Sequence, residues 1–262
     1  DRGSFQIKPS GEIKRRPLKA VSIQQRLYSI RFWHQAKGYP SPTYSSKVRD
    51  TMSGIRNDKG TSPEQKRAAD VEIIKAICRI IPDTLTGYRN RALLLLGFCF
   101  GARRSELISV DVEHIRYTNK GIELLIPRSK TDQEGKGRKP VIFYGEYPET
   151  CPVRSVQKWL KVSGISSGAI FRKIDRHGNI GERLTPDGFR YIFERMIKEA
   201  GFNPKDFSPH SLRHGFITSA YLAGKDEQSI MMQTGHRSTQ TMRRYIDDAV
   251  RYINNATDGI GL

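Results

Sequence analysis

The densest group of reactive side chains in the sequence is Ser208-Pro209-His210-Ser211-Leu212-Arg213-His214-Gly215, where a helical pattern begins. A helix start directs backbone N–H groups and a partial positive charge outward, which suits phosphate. His210 and Arg213 are three residues apart and share a face. One can exchange a proton or a hydrogen bond while the other forks onto two phosphate oxygens. His210 and His214 also have the spacing of metal-binding helices, but Ser211 stands where a metalloprotease motif has its catalytic Glu, so no metal is expected. Further along come Thr234-Gly235-His236-Arg237-Ser238 and then Tyr245 within Met242-Arg243-Arg244-Tyr245-Ile246. Upstream lie Gly101-Ala102-Arg103-Arg104-Ser105-Glu106-Leu107 and Ser129-Lys130-Thr131. Taken singly each has an ordinary reading: Arg103 as a helix-end cation, Lys130 as a turn charge, Tyr245 as an amphipathic surface residue.

The elements that must position these groups are mainly helical. Val71 to Ile81 has apolar residues at helical spacing and stops at Pro82, and Tyr88 to Phe100 is apolar almost all round and must be buried. From His114 the pattern changes to short β-type runs, His114–Tyr117, Ile122–Pro127 and Pro140–Tyr144, which predict one small antiparallel sheet. Helical patterns return at Val153–Val162, at Pro186–Ala200 behind a Thr185 cap, at Ser211–Ala223 and at Glu227–Thr234.

The front of the chain has a different character. Residues 1 to 60 carry 13 Lys/Arg against 4 Asp/Glu, half of the total excess of +18. After a polar lead-in, Ile23, Leu27, Ile30 and His34 form a helical stripe with Arg26 and Arg31 on the other face. A second helical pattern runs through Val48, Met52 and Ile55 with Lys47, Arg49 and Arg56 outside. Asn57 to Pro63 clusters turn formers and reads as a linker. Two domains are therefore expected: residues 1–60 as a partial helical DNA-clamping segment whose beginning is absent, and 61–262 as the larger domain with a C-terminal tail. Asp247 to Leu262 reads equally as a short helix and as a frayed end.

Composition narrows the classes of function. A net charge of +18 and a sequence pI near 10.0 predict attraction to polyanions, nucleic acid first. Cys78, Cys99 and Cys151 are odd in number and far apart, so reduced thiols in a cytoplasmic, DNA-associated protein are expected. Ala92 to Cys99, the longest strongly apolar stretch, is too short to cross a bilayer.

Taken together, in their order and spacing, these motifs resemble the tyrosine recombinases, or phage integrase family, over residues 65 to 250, with a weaker similarity of residues 18 to 57 to part of that family's core-binding domain. The resemblance implies a mainly α catalytic domain with a small antiparallel β-sheet, preceded by a short helical DNA-clamping segment. It implies catalytic roles for Arg103, Lys130, His210, Arg213, His236 and Tyr245, with Lys130 preferred to Lys136 and Lys139 of the same hairpin. DNA contacts are assigned to Arg26, Arg31, Lys47 and Arg49.

On that resemblance Tyr245 attacks a backbone phosphate to give a 3′-phosphotyrosine intermediate, and strands are exchanged between two double-stranded DNA sites without metal, ATP or other cofactor. Arg103, Arg213 and His236 would meet the charge on the non-bridging oxygens. His210 would accept the phenolic proton, and Lys130 would protonate the departing 5′ oxygen. A homotetramer on two duplexes is implied, with accessory DNA-bending or directionality proteins as possible helpers. The alternatives are a type IB topoisomerase-like relaxing enzyme and a catalytically idle DNA-binding regulator on the same fold.

Overall fold

A computed structural model describes residues 4–7, 13–60, 66–127, 137–253 and 257. It divides into two compact units, Asp1–Gln65 and Lys66–Leu262. No described helix is long and apolar enough to cross a membrane.

In the first unit a hairpin pairs β1 (Ser4–Ile7) with β2 (Ile13–Arg16), in what the sequence presents only as a polar lead-in. Helix α1 (Ala20–Ala36) and helix α2 (Ser46–Lys59) follow. Ile23 and Leu27 of α1 share a shallow groove with Val48, Met52 and Ile55 of α2. Arg56 Nη2 donates to Gln24 Oε1 at 2.7 Å across the pair. Ile30, expected on the packed stripe, is exposed, as are Phe32 and Trp33, because the short α2 covers only part of α1. Asn57, Asp58 and Lys59, expected in a linker, form the last turn of α2, whose C-terminus carries the cations Arg56 and Lys59 that complement the helix dipole.

The second unit is built around α4. Helix α3 (Val71–Ile80) starts at an Asp70 cap, whose Oδ1 accepts from Ile73 N at 3.0 Å. Helix α4 (Leu85–Cys99) starts at Thr84, whose hydroxyl accepts from Gly87 N at 3.1 Å. Leu93 to Leu96 of α4 are buried on every face because neighbours surround it. The short α5 (Arg104–Ile108) leads into a three-stranded antiparallel sheet of β3 (Ile115–Thr118), β4 (Gly121–Leu124) and β5 (Val141–Phe143), in the order β3-β4-β5.

Helix α6 (Pro152–Ser163) packs along α4, and its buried Trp159 donates to Ile170 O at 2.6 Å. A second hairpin, β6 (Arg172–Ile174) with β7 (Ile180–Arg183), adds to the single sheet that the sequence suggests. Its strands are short and largely polar, so they carry no alternating signal. Helix α7 (Pro186–Glu199) is capped by Thr185 as expected.

The last three helices bear most of the singled-out residues. Helix α8 (His210–Leu222) crosses α4, and α9 (Glu227–Thr234) and α10 (Thr239–Ile253) pack against it through a small core of Ile217, Ile230, Met242 and Ile246. In the sequence a helix is expected only after Tyr245. The structure has Tyr245 in the middle of α10, on the same side as Met242 and Ile246. Gly215 lets α8 approach the chain before α3: a Cβ there would stand 1.9 Å from Ala69 O.

Candidate active site

Helix α8 and the turn after α9 converge on Tyr245 of α10. Its hydroxyl lies 2.7 Å from His210 Nε2 at the start of α8. Its backbone carbonyl accepts from Thr218 Oγ1 at 3.0 Å and lies 3.2 Å from His214 Nε2. The rings of His210, His214 and His236 stand 5.6, 5.3 and 5.8 Å from the Tyr245 ring, centroid to centroid. Three imidazoles thus enclose one phenol, and α8 holds the middle of α10 by its main chain as well as by its core.

Arg213 is 1% exposed. Its Nη1 donates to Gly101 O at 2.8 Å and Thr234 O at 2.7 Å, and its Nη2 donates to the His236 ring. Both carbonyls are presented by special backbone geometry. Gly101 has φ +55°, and a Cβ at that position would stand 2.6 Å from Thr234 Cγ2. Thr234 ends α9, and Gly235 follows in the left-handed conformation with its N–H returned to Met231 O at 2.7 Å. Burial and the nearby Arg103 pull Arg213 down to about 10, which leaves it cationic at neutral pH.

The tautomer of His236 follows from its partners. Thr234 has one hydroxyl proton and gives it to Ile230 O at 2.7 Å, so the 2.7 Å contact of the same oxygen with His236 Nδ1 requires an Nδ1–H donor. Nε2 is then the acceptor for Arg213 Nη2, at 2.9 Å. Burial, followed by the Arg213 charge, depresses His236 to about 3, consistent with a neutral ring accepting from a guanidinium. His210 is likewise held below the usual imidazole range, by burial first and then by Arg213. A neutral His210 has a lone pair for the Tyr245 proton.

Arg103 sits just before α5. Its Nη1 donates to Glu106 Oε1 at 2.6 Å, and its backbone N–H donates to Glu106 Oε2 at 3.2 Å. Glu106 is 2% exposed and also accepts from Arg138 Nη2 at 2.7 Å. Burial pushes its carboxyl up, but Arg138 and Arg103 outweigh that and keep it ionised. Glu106 falls within the Gly101–Leu107 motif with no role assigned to it there, and Arg138 belongs to no motif. The signal for Arg138 is slight: an Arg in the run leading into β5, at the position that bridges to Ile126.

Of the other sequence-singled residues, Lys130 and its alternative Lys136 lie outside the described residues, and Lys139 is exposed. In the first unit Arg26, Lys47 and Arg49 are exposed, whereas Arg31 is half-buried, donates to Thr43 Oγ1 at 3.3 Å and stacks 4.5 Å from the Tyr44 ring centre. No group of His, Cys, Asp and Glu fit to hold a metal ion occurs among the described residues.

Residues 67–251 match the family model described as the Phage integrase family. The chain belongs to the phage integrase family, the tyrosine recombinases. It is therefore a DNA strand-transferring enzyme. It is 34% identical over 243 residues to an integrase/recombinase XerD homolog of Selenomonas ruminantium, covering 91% of this chain and 71% of that one. It is 29% identical over 185 residues to tyrosine recombinase XerC of Bifidobacterium longum (strain DJO10A), covering 66% of this chain and 47% of that one. The chain thus spans only part of each relative.

Among solved structures, XerA recombinase matches 89% of this tyrosine recombinase chain and 74% of its own at 20% identity, with a TM-score of 0.55. The Tn1549 transposon integrase in complex with circular intermediate DNA matches 90% and 79% at 18% identity, with a TM-score of 0.59. Both comparisons identify the fold: mainly helical, with small antiparallel sheets.

Proposed function

We propose that the chain is a site-specific recombinase that cleaves and rejoins double-stranded DNA through a 3′-phosphotyrosine at Tyr245. The supporting observation is the 2.7 Å approach of the Tyr245 hydroxyl to His210 Nε2 in a pocket shared with Arg213 and His236. A phenol has a reference pKa of about 10 and attacks only after its proton finds an acceptor. His210, held neutral, is that acceptor.

The attacked phosphodiester is already anionic, and attack adds charge to its non-bridging oxygens. Arg103 and Arg213 meet that charge with fixed, permanently cationic forks. His236 stands beside Arg213 with its lone pair engaged. An arriving phosphate competes for that Arg213 donor and favours proton uptake by His236, turning the ring into a donor. Lys130 delivers the proton to the departing 5′ oxygen. The covalent link stores the phosphoester bond, so religation needs no ATP. Arg26, Arg31, Lys47 and Arg49 hold the backbone of the duplex, and a tetramer on two duplexes, helped by accessory proteins, carries out paired exchanges as a cytoplasmic, DNA-associated assembly.

The test uses a pool of nicked duplexes with randomised flanks, in which the nick lets the cleaved fragment diffuse away and traps the adduct. Incubation with the protein followed by denaturing electrophoresis and sequencing of the retained DNA is expected to recover a defined site. Tyr245→Phe is expected to abolish the adduct with binding retained. An adduct that persists in that variant would refute the assignment. Joining of two recovered sites, as against relaxation of a supercoiled plasmid alone, separates recombination from topoisomerase action.

A further inference from the structure

The cation set of the site contains a member that the recombinase reading leaves unused. Arg138, just before β5, is largely buried, its side chain 15% exposed. It touches a support of each of the other groups. Its Nη2 donates to Glu106 Oε2 at 2.7 Å, and Glu106 holds Arg103. Its guanidinium stacks 4.5 Å from the centre of the Phe100 ring, and Phe100 precedes Gly101, whose carbonyl holds Arg213. Its Nη1 donates to Gln233 O near the end of α9. It also packs under the turn that carries His236, where a Cβ at Gly235 would stand 3.0 Å from Arg138 Nε.

Charge bookkeeping gives this arrangement a purpose. Arg103 paired with Glu106 alone would be neutralised before any phosphate arrived. With Arg138 sharing the carboxylate, three guanidiniums, Arg103, Arg138 and Arg213, face one carboxylate among the described residues, and two net positive charges remain. A phosphodiester carries one negative charge and its five-coordinate transition state two, so the excess matches the transition state. Arg138 is poorly placed as a purely structural cation. Its buried Nε has no hydrogen-bond partner, an arrangement that is destabilising in itself.

We propose that Arg138 is a positioning residue for strand cleavage: it takes up the Glu106 charge so that Arg103 stays both fixed and cationic toward the scissile phosphate. The proposal rests on the cleavage reading above. Its test is single-turnover cleavage by the full chain on a nicked duplex recovered as described. Two versions are compared, one with the natural scissile phosphate and one with a neutral methylphosphonate in its place. If the unaltered protein forms no adduct on any duplex, the cleavage reading itself fails, and Arg138 falls with it.

Given an active parent, Arg138→Met is expected to cleave the natural duplex about 10²-fold more slowly with affinity changed less than about threefold, and to recover most of that loss on the methylphosphonate. The neutral substrate lowers the charge to be met, so it rescues a missing field but not a distorted fold. Arg138→Lys, which keeps the charge, is expected to lose less on the natural duplex, and it serves as the reading if Arg138→Met fails to fold. A rate near the parent's in Arg138→Met would overturn the proposal, as would an equal deficit on both substrates in either variant or a loss in Arg138→Lys as large as in Arg138→Met.

Discussion

The Tyr245 hydroxyl and His210 Nε2 are 2.7 Å apart, although 35 residues separate them in the chain. The contact joins a side chain from the middle of α10 to one from the start of α8, so the proposed proton transfer from Tyr245 to His210 needs no rearrangement of either helix. Because His210 is held below its ordinary value by burial and by Arg213, it must lose its lone pair only under acid conditions. The single-turnover cleavage rate is expected to be flat near neutral pH and to fall on an acid limb below about pH 6.5, the free imidazole value. His210→Gln is expected to lower the plateau by about 10²- to 10⁴-fold and remove that limb. A limb unchanged in the variant would assign it to another group.

Arg213 is expected not to tolerate lysine. A lysine has one nitrogen where the guanidinium reaches Gly101 O, Thr234 O and His236 together. Buried carbonyls left unpaired cost about 1–3 kcal/mol, so Arg213→Lys should lower the denaturation midpoint as well as cleavage. Chemical denaturation and adduct formation measured on one preparation check both effects. Full stability with lost cleavage would mean that the two carbonyl contacts contribute little to the fold.

His236 makes the fold sensitive to acid. Its folded-state value of about 3 lies below that of a free imidazole, so below about pH 6.5 the unfolded chain binds a proton that the folded chain refuses. Stability contributed at neutral pH is therefore lost progressively as pH falls from about 6.5 toward about 3. His236→Gln is expected to flatten the stability profile across that window in urea titrations at successive pH values. A parallel profile in the variant would show that His236 is not the group whose proton uptake destabilises the fold.

The basic first unit should show in the salt dependence of DNA binding. Each phosphate contact contributes about −0.9 to the slope of log K against log salt on duplex DNA. Arg26→Ala, Lys47→Ala and Arg49→Ala, at exposed positions, are each expected to make the slope shallower by about one contact. Arg31→Ala is expected to loosen the unit too, because Arg31 is tied to Thr43 and Tyr44. Filter binding at a series of salt concentrations, with circular dichroism as the folding control, distinguishes the two cases.

The long elements were legible because burial and periodicity report the same thing in them. The apolar run through Leu93–Leu96 became the buried α4, and the Thr185 cap was found where its hydroxyl meets Gly188 N. Short polar strands were not legible: β1, β2, β6 and β7 are specified by their pairing, and pairing is a relation between segments. Asn57 to Lys59 misled because turn formers at a helix end look like turn formers in a linker.

By itself the sequence supplied the residues that the proposed chemistry needs, since residue types in a fixed order are a linear property: two arginines, a lysine, two histidines and a tyrosine, with a basic front segment for a polyanion. What only the tertiary structure decided is which atoms face each other. It made His236 an acceptor from Arg213 through the single proton of Thr234, and it placed Glu106 between two arginines. It also brought Arg138 into a site from which its sequence position had separated it. Those relations depend on burial and on distances between remote segments. The charge state of a group is set by such neighbours, and a one-dimensional pattern does not contain them.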